Sequence, residues 1–175
     1  MIKLYFLLIF NIIIFHTNLF ATNIVTVNTD FILDESKQYS LFIKKLSSIQ
    51  KNLEKELKYK ENILLNKQNE IENSKSILND IEISKMIDIY NNDVNIFQTE
   101  VNKINKYISD NLDRNRNLIL QKIIFIVESI STQNNYDIVL NQNNYFISSE
   151  NVDISKLIIN SLNNQIIDFN IFPFQ

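Results

Sequence analysis

Side chains able to do covalent or metal chemistry are almost missing from this sequence. Its one histidine, His16, sits in an apolar N-terminal run, and there is no cysteine. A nucleophile of the Ser-His or Cys-His type needs an imidazole beside it, and zinc sites of the usual kind draw on His and Cys. Glycine is absent too, which removes the loops that cradle nucleotide phosphates. Carboxylate pairs such as Asp34 and Glu35 remain, but that pair fits an early helical turn better than a pocket. No catalytic, cofactor-binding or metal-binding residue is expected, and the chain is not read as an enzyme. What is left is binding, and binding depends on the elements that present it.

Those elements must be few and long. A chain of 175 residues holds one ordinary domain, and average usage would include about 7% Gly and about 5% Pro. Here Gly is 0 and Pro is 1 (Pro173), so tight turns are scarce and an elongated helical protein is favoured. Asn and Ile are heavily used, but the asparagines are scattered among charged and apolar residues rather than gathered in a prion-like tract. The first 21 residues have the form of an export signal. A short basic start at Lys3 is followed by an apolar run, Leu4 to Phe15, interrupted only by Asn11, and by a cleavage site after Ala21. The run is shorter than the roughly 20 residues a membrane span needs; the alternative is an uncleaved anchor, since Leu19 is unusual at the −3 site. Export permits disulfides, yet no cysteine is present to form them, so stability must come from packing and association. Loss of Lys3 leaves 16 basic against 20 acidic residues, a net of −4 from the totals of 17 and 20. No basic stripe is left to neutralise a phosphate backbone, and nucleic-acid binding is not expected.

Two helical seams run through the middle. Phe42, Leu46, Ile49, Leu53, Leu57, Leu64, Ile71 and Leu78 fall at steps of three, four or seven, with Lys60 and Lys67 in the slots between. The second seam is Met86, Tyr90, Val94, Phe97, Val101, Ile104, Ile108, Leu112, Ile119, Ile123, Ile126 and Ile130. Such spacing over more than three heptads predicts coiled-coil packing. Between the seams, Asn79-Asp80-Ile81-Glu82 has the pattern of a capping box that starts a new helix. Two long helices joined by a short turn make an antiparallel hairpin. Residues 46–78 alone span roughly 50 Å at about 1.5 Å per residue.

Strand-like runs flank the hairpin. Ile24-Val-Thr-Val-Asn28 is β-branched and reads as a strand, and one of Asn28, Thr29 and Asp30 caps the short helix that carries Phe31, Ile32 and Leu33 to a core. Tyr136–Leu140 alternates, Asn141–Asn144 reads as a turn in which Asn takes the positive φ that Gly would normally take, and Tyr145–Ser148 returns as a second strand of a hairpin. Asp153 is expected to cap a closing helix with Ile154, Leu157, Ile158 and Leu162 on one face. Three short strands cannot make an independent sheet with protected edges, so several copies are expected to merge their sheets. The fold class is α+β, mostly α. The expected division is a cleaved signal at 1–21, a discontinuous oligomerisation body at 22–45 and 118–165, a hairpin arm at 46–117 with its tip near 78–80, and a tail at 166–175. Ile24, Val25, Val27, Phe31, Phe125, Ile138, Leu140 and Phe146 are the candidate body contacts.

The order of these features resembles the Skp (OmpH-like) periplasmic chaperones. Val27-Asn28 closing the first strand, Tyr136-Asp137-Ile138-Val139-Leu140 and Val152-Asp153-Ile154-Ser155 carry the resemblance over nearly all of residues 24–162. It implies a homotrimer with a β-barrel body and three helical arms around a cavity. It also implies a periplasmic, ATP-independent holdase that keeps unfolded outer-membrane proteins from aggregating. Two departures stand out. The chain is acidic, which argues against attraction to lipopolysaccharide or anionic lipid headgroups, and the tail Ile166–Gln175 follows the last helix.

A holdase must bind many apolar sequences weakly. Apolar residues displaced from the seams are the candidates for client binding: Tyr59, Ile63 and Leu65 on the first helix, and Ile87, Ile89, Ile96 and Tyr107 on the second. The plainer alternative is that they widen the hairpin's own interface. The mixed charges of the arms are read as a solvated face. The tail, alternating Ile167, Phe169 and Ile171, is expected to pack on the body or add an edge strand; the alternative is that it occupies the client site when that site is empty. As a whole, the rival to a chaperone is an exported coiled coil that tethers layers of the cell envelope.

Overall fold

The computed structural model describes residues 22–174; the expected signal segment, 1–21, lies outside the described residues. In chain order the elements are strand β1 (Ile24–Val27) and helices α1 (Thr29–Glu35), α2 (Lys37–Ser74) and α3 (Asp80–Asn134). Strand β2 (Ile138–Asn141), two 3₁₀ turns (Gln142–Asn144 and Glu150–Val152) and helix α4 (Ser155–Asn163) follow. The fold is mostly helical, with one long hairpin, α2 and α3, beside a small two-stranded parallel sheet.

Each end of the hairpin has a local cause. At the tip the capping box forms as the sequence predicts: Asn79 Oδ1 accepts from the Glu82 amide at 3.0 Å, and Glu82 Oε2 accepts from the Asn79 amide at 3.2 Å. Two orphan amides of α3 are thereby satisfied. At the other end α3 stops at Asn135, which adopts φ 55° and ψ 45°. Asparagine fills this left-handed cap, where glycine is usual, in a chain that has none. The turn then aims Ile138 at Ile24.

The sheet joins distant parts of the chain. β1 and β2 pair in parallel with Ile24 opposite Ile138 and Val27 opposite Asn141. Parallel strands need a crossover connection, and here the whole hairpin is that crossover. Above it, Val25, Val27, Ile32, Leu33, Tyr39, Phe42 and Leu46 form one core with Ile119, Ile123, Ile126, Ile130, Ile158 and Leu162. Ile32, Ile119 and Ile158 are completely buried. Down the arm the seam thins, and between Leu46 and Asn111 only Ile71 and Ile104 are fully enclosed.

Three local expectations fail. Tyr145–Ser148 does not pair back on β2, because Gln142–Asn144 forms a 3₁₀ turn instead of a hairpin turn. Tight two-residue hairpin turns need a positive φ, and Asn135 is the described residue that has one. Phe31 is 37% exposed and faces away from the core that takes Ile32 and Leu33. Asp153 is not the N-cap of α4, a position held by Ile154. Instead Asp153 Oδ1 accepts from the Ser155 amide at 2.7 Å and its hydroxyl at 2.5 Å, and Ser155 Oγ accepts from the Asn28 amide at 2.8 Å. Asn28, in turn, caps α1 through the Phe31 amide at 2.9 Å. Ser155 thus ties the end of β1 to the start of α4.

Candidate functional site

A groove runs between α2 and α3, floored by the seam and stapled by ion pairs across it. Lys60 reaches Glu100 at 2.5 Å and Lys67 reaches Asp93 at 2.5 Å. These are the two lysines that stand in apolar slots of the first seam. Each long stem packs over the seam while its ammonium meets a carboxylate of the facing helix. The pairs tie the helices together where apolar filling is thin.

The groove collects some of the sequence-predicted client residues and leaves others out. Ile63 and Ile96 meet across it beside Phe97 and the Lys60–Glu100 pair. Ile89 lines the next depression toward the tip, with Lys67, Ile71 and Met86. Toward the root, Ile96 and Glu100 border a third depression, with Lys103 and Phe174. Tyr107 stands one step further, its ring 5.2 Å from that of Phe174. Ile89, Ile96 and Tyr107 are seven and eleven residues apart. At about 100° per residue they stand within about 20° of one line. Ile87, two residues before Ile89, faces away from it. Tyr59 and Leu65 are 69% and 54% exposed and line none of the three depressions.

At the root the groove is filled by the tail. Gln38 clamps one end, its side-chain amide donating to the Gln165 carbonyl while its oxygen accepts from the Ile167 amide at 2.8 Å. Asn115 donates to the Asn170 carbonyl at 2.9 Å and accepts from the Asn170 amide at 3.2 Å. Asn111 accepts from the Phe172 amide at 2.9 Å. Between the clamps Phe169 stacks on Phe42, centroids 5.3 Å apart, and contacts Tyr39. Beyond them the Arg114 guanidinium lies 3.9 Å over the ring of Phe172. Burial pushes the Tyr39 phenol above its ordinary pKa, against the lowering effect of the Arg116 charge.

Sequence reasoning missed Gln38, Asn111, Asn115 and Arg114. One signal was present: the second seam steps by seven from Leu112 to Ile119, and the skipped slot is Asn115. Asn111 and Asn115 are 3% and 2% exposed, and a polar side chain so enclosed must find partners.

Of the candidate body residues, Val25 and Val27 are buried and Leu140 is half-buried. Ile24, Phe31, Ile138, Phe125 and Phe146 are exposed on this single chain. Among the described residues no cluster of three His, Cys, Asp or Glu side chains could hold a metal ion, and no helix is long and apolar enough to cross a membrane.

The model of the outer membrane protein (OmpH-like) family matches residues 23–162. The chain belongs to the OmpH-like family. The match takes in both strands, the hairpin and α4, and ends before the tail. A search of curated proteins returned no significant match. Among solved structures, the fold is similar to a candidate outer membrane chaperone (OmpH-like) from Caulobacter crescentus. The TM-score is 0.71 and the identity 12%, over 83% of this chain and 86% of that one. At that identity the likeness is one of fold. Within this OmpH-like chain the motifs at Asn28 and Asp153–Ser155 have a physical role, because their mutual hydrogen bonds close the body around β1.

Proposed function

We propose that this OmpH-like protein is a periplasmic, ATP-independent holdase that captures unfolded outer-membrane proteins between the arms of a homotrimer. The observation that carries this reading is the long interhelical groove. It presents Ile63, Ile89 and Ile96 over an apolar floor that includes Leu64, Phe97, Ile71 and Met86, edged by Lys60, Lys67, Asp93 and Glu100, with Tyr107 at its root end against Phe174. Full burial of one such side chain is worth about 1.5–3 kcal/mol and partial contact less. Several weak contacts in a row hold a long apolar client with easy release. Of the seven candidates, Ile63, Ile89 and Ile96, which line the groove, and Tyr107 at its root end are the primary client residues, and Tyr59, Leu65 and Ile87 are secondary.

The trimer is supported by what the single chain leaves uncovered. Ile24 and Ile138 stand side by side on a two-stranded sheet, each 42% exposed, and Phe31, Phe125 and Phe146 are also open. β2 has no further strand partner within the described residues. A two-stranded sheet is marginal alone, and merging three copies would cover both the open edge and these side chains. In the proposed trimer the segment 145–148, which has no strand partner among the described residues, pairs with a neighbouring copy.

Native mass spectrometry of the mature chain, with and without a urea-unfolded β-barrel protein, tests the whole reading. The expected spectrum is a trimer alone and one client per trimer after mixing. A monomer at micromolar concentration, or no complex while the client precipitates, overturns it. Replacing Ile63, Ile89, Ile96 and Tyr107 by Ser should abolish client protection and leave the trimer mass unchanged.

A further inference from the structure

The C-terminal segment is bound to the arm in the way an extended peptide is bound by a sheet edge. Gln38 takes the carbonyl of Gln165 and the amide of Ile167, and Asn115 takes both backbone groups of Asn170. Asn111 takes the amide of Phe172, two residues on. Main-chain pairing of this kind gives affinity without reading sequence, while pockets for the side chains between add apolar contact. Here the row of backbone partners is built from side-chain amides on two helices.

The two asparagines are built into the wall rather than scattered on its surface. Their remaining donors go to helix carbonyls, Asn111 to Tyr107 at 2.8 Å and Asn115 to Asn111 at 2.8 Å. These bonds fix the amide planes and leave Oδ1 of each aimed at the groove. An apolar residue in the Asn115 slot would continue the seam but offer nothing to a backbone. The polar choice makes sense where polypeptide main chain must dock.

The occupant divides into two parts. Ile167 is 6% exposed and Phe169 is stacked into the core aromatics, so this proximal part belongs to the body. Beyond Asn170, Ile171 still packs partly against the core, whereas Phe172 is 45% and Phe174 36% exposed. Phe174 ends against Tyr107 and at the mouth of the depression that Ile96 borders. From there the same groove continues open past Ile63 to Ile89.

We propose that the groove is a docking site for extended polypeptide with alternating apolar residues, and that Asn170–Phe174 is its resident occupant, displaced when a client segment enters. The proposal rests on the holdase reading for the identity of the competitor, but not for the docking itself. A tail present in one body-tethered copy competes at high effective concentration. If it covers the site nine-tenths of the time, apparent affinity for any competitor falls about tenfold.

The test compares the mature chain with one truncated after Phe169, which keeps Ile167 and Phe169 in place. The probe is a fluorescein-labelled synthetic peptide of residues 168–175, followed by anisotropy. The peptide should bind the truncated chain at least tenfold more tightly than the mature chain. N111L in the truncated chain should abolish that gain, and unfolded β-barrel client should displace the peptide. As a second variant that retains the full chain, F172S with F174S should also tighten client binding. Equal peptide binding to mature and truncated chains, or binding indifferent to N111L, overturns the docking site. Client that leaves bound peptide in place overturns the competition. A chain that binds peptide but protects no client counts against the holdase reading instead.

Discussion

Replacing Ile119 by Ala separates the root of the hairpin from the rest of it. Ile119 has no exposed surface and packs in the core shared by α2, α3 and α4. The change removes three carbons, worth about 2.4 kcal/mol at about 0.8 kcal/mol each. The neighbours are held by three helices and a sheet and can collapse only partly, so a cavity cost is added. The total should reach about 3–4 kcal/mol, inside the 2–5 range for Ile to Ala in cores. With a urea slope of about 2 kcal/mol per molar, the midpoint falls by about 1.5–2 M. The matched control is I63A on the arm, where Ile63 is already 38% exposed and the loss should stay below about 1 kcal/mol. Both variants must be compared at one protein concentration, because association adds to apparent stability. If I119A lowers the midpoint no more than I63A does, the root is not the seat of stability, and the picture of open arms on a firm body fails.

Other outcomes follow from single contacts. S155A leaves the Asn28 amide without its acceptor in a site where Ser155 is 1% exposed; it should cost about 1–3 kcal/mol in urea unfolding, with loss of amide protection in β1. N79A removes the helix cap at the arm tip, worth about 0.5–2 kcal/mol; hydrogen exchange should rise in the first turn of α3 while the global midpoint stays put. The Lys67–Asp93 pair is partly exposed, at 42% and 27% of side-chain surface. A double-mutant cycle should give a coupling of about 0.2–1 kcal/mol that shrinks in 1 M salt. Tyr39 has its folded pKa raised above the ordinary value near 10, chiefly by burial. Its contribution is complete below that ordinary value and is lost as pH rises through the raised one. Y39F should therefore flatten the alkaline fall in stability, measured as urea midpoints from pH 8 to 11.

Much of the local order could be read from residue spacing because it depends on neighbours in the chain. A heptad seam, the Asn79–Glu82 box and the lack of glycine act within a few residues, so two long helices and their junction were legible. A strand on either side of the hairpin was also legible, since Ile24–Asn28 and Tyr136–Leu140 have strand composition, but their parallel register, Ile24 opposite Ile138, was not. The failures came where side chains serve partners remote in sequence. Tyr145–Ser148 has strand composition, but composition carries no information on whether the turn before it can reverse the chain. Asp153 looked like a cap because Asp usually is one, whereas its carboxylate instead holds a hydroxyl that faces Asn28.

By itself, the amino-acid sequence settled that this protein is a long hairpin with a strand on either side, and where α3 begins. The tertiary structure alone decided which flank of the arm is a groove and which of the displaced apolar residues share it. It also decided what Asn111 and Asn115 are for. The reason is physical: helical period and capping are set by neighbours a few residues apart. A buried amide instead takes its meaning from a backbone 55 or 61 residues away, and that distance closes only when the body folds.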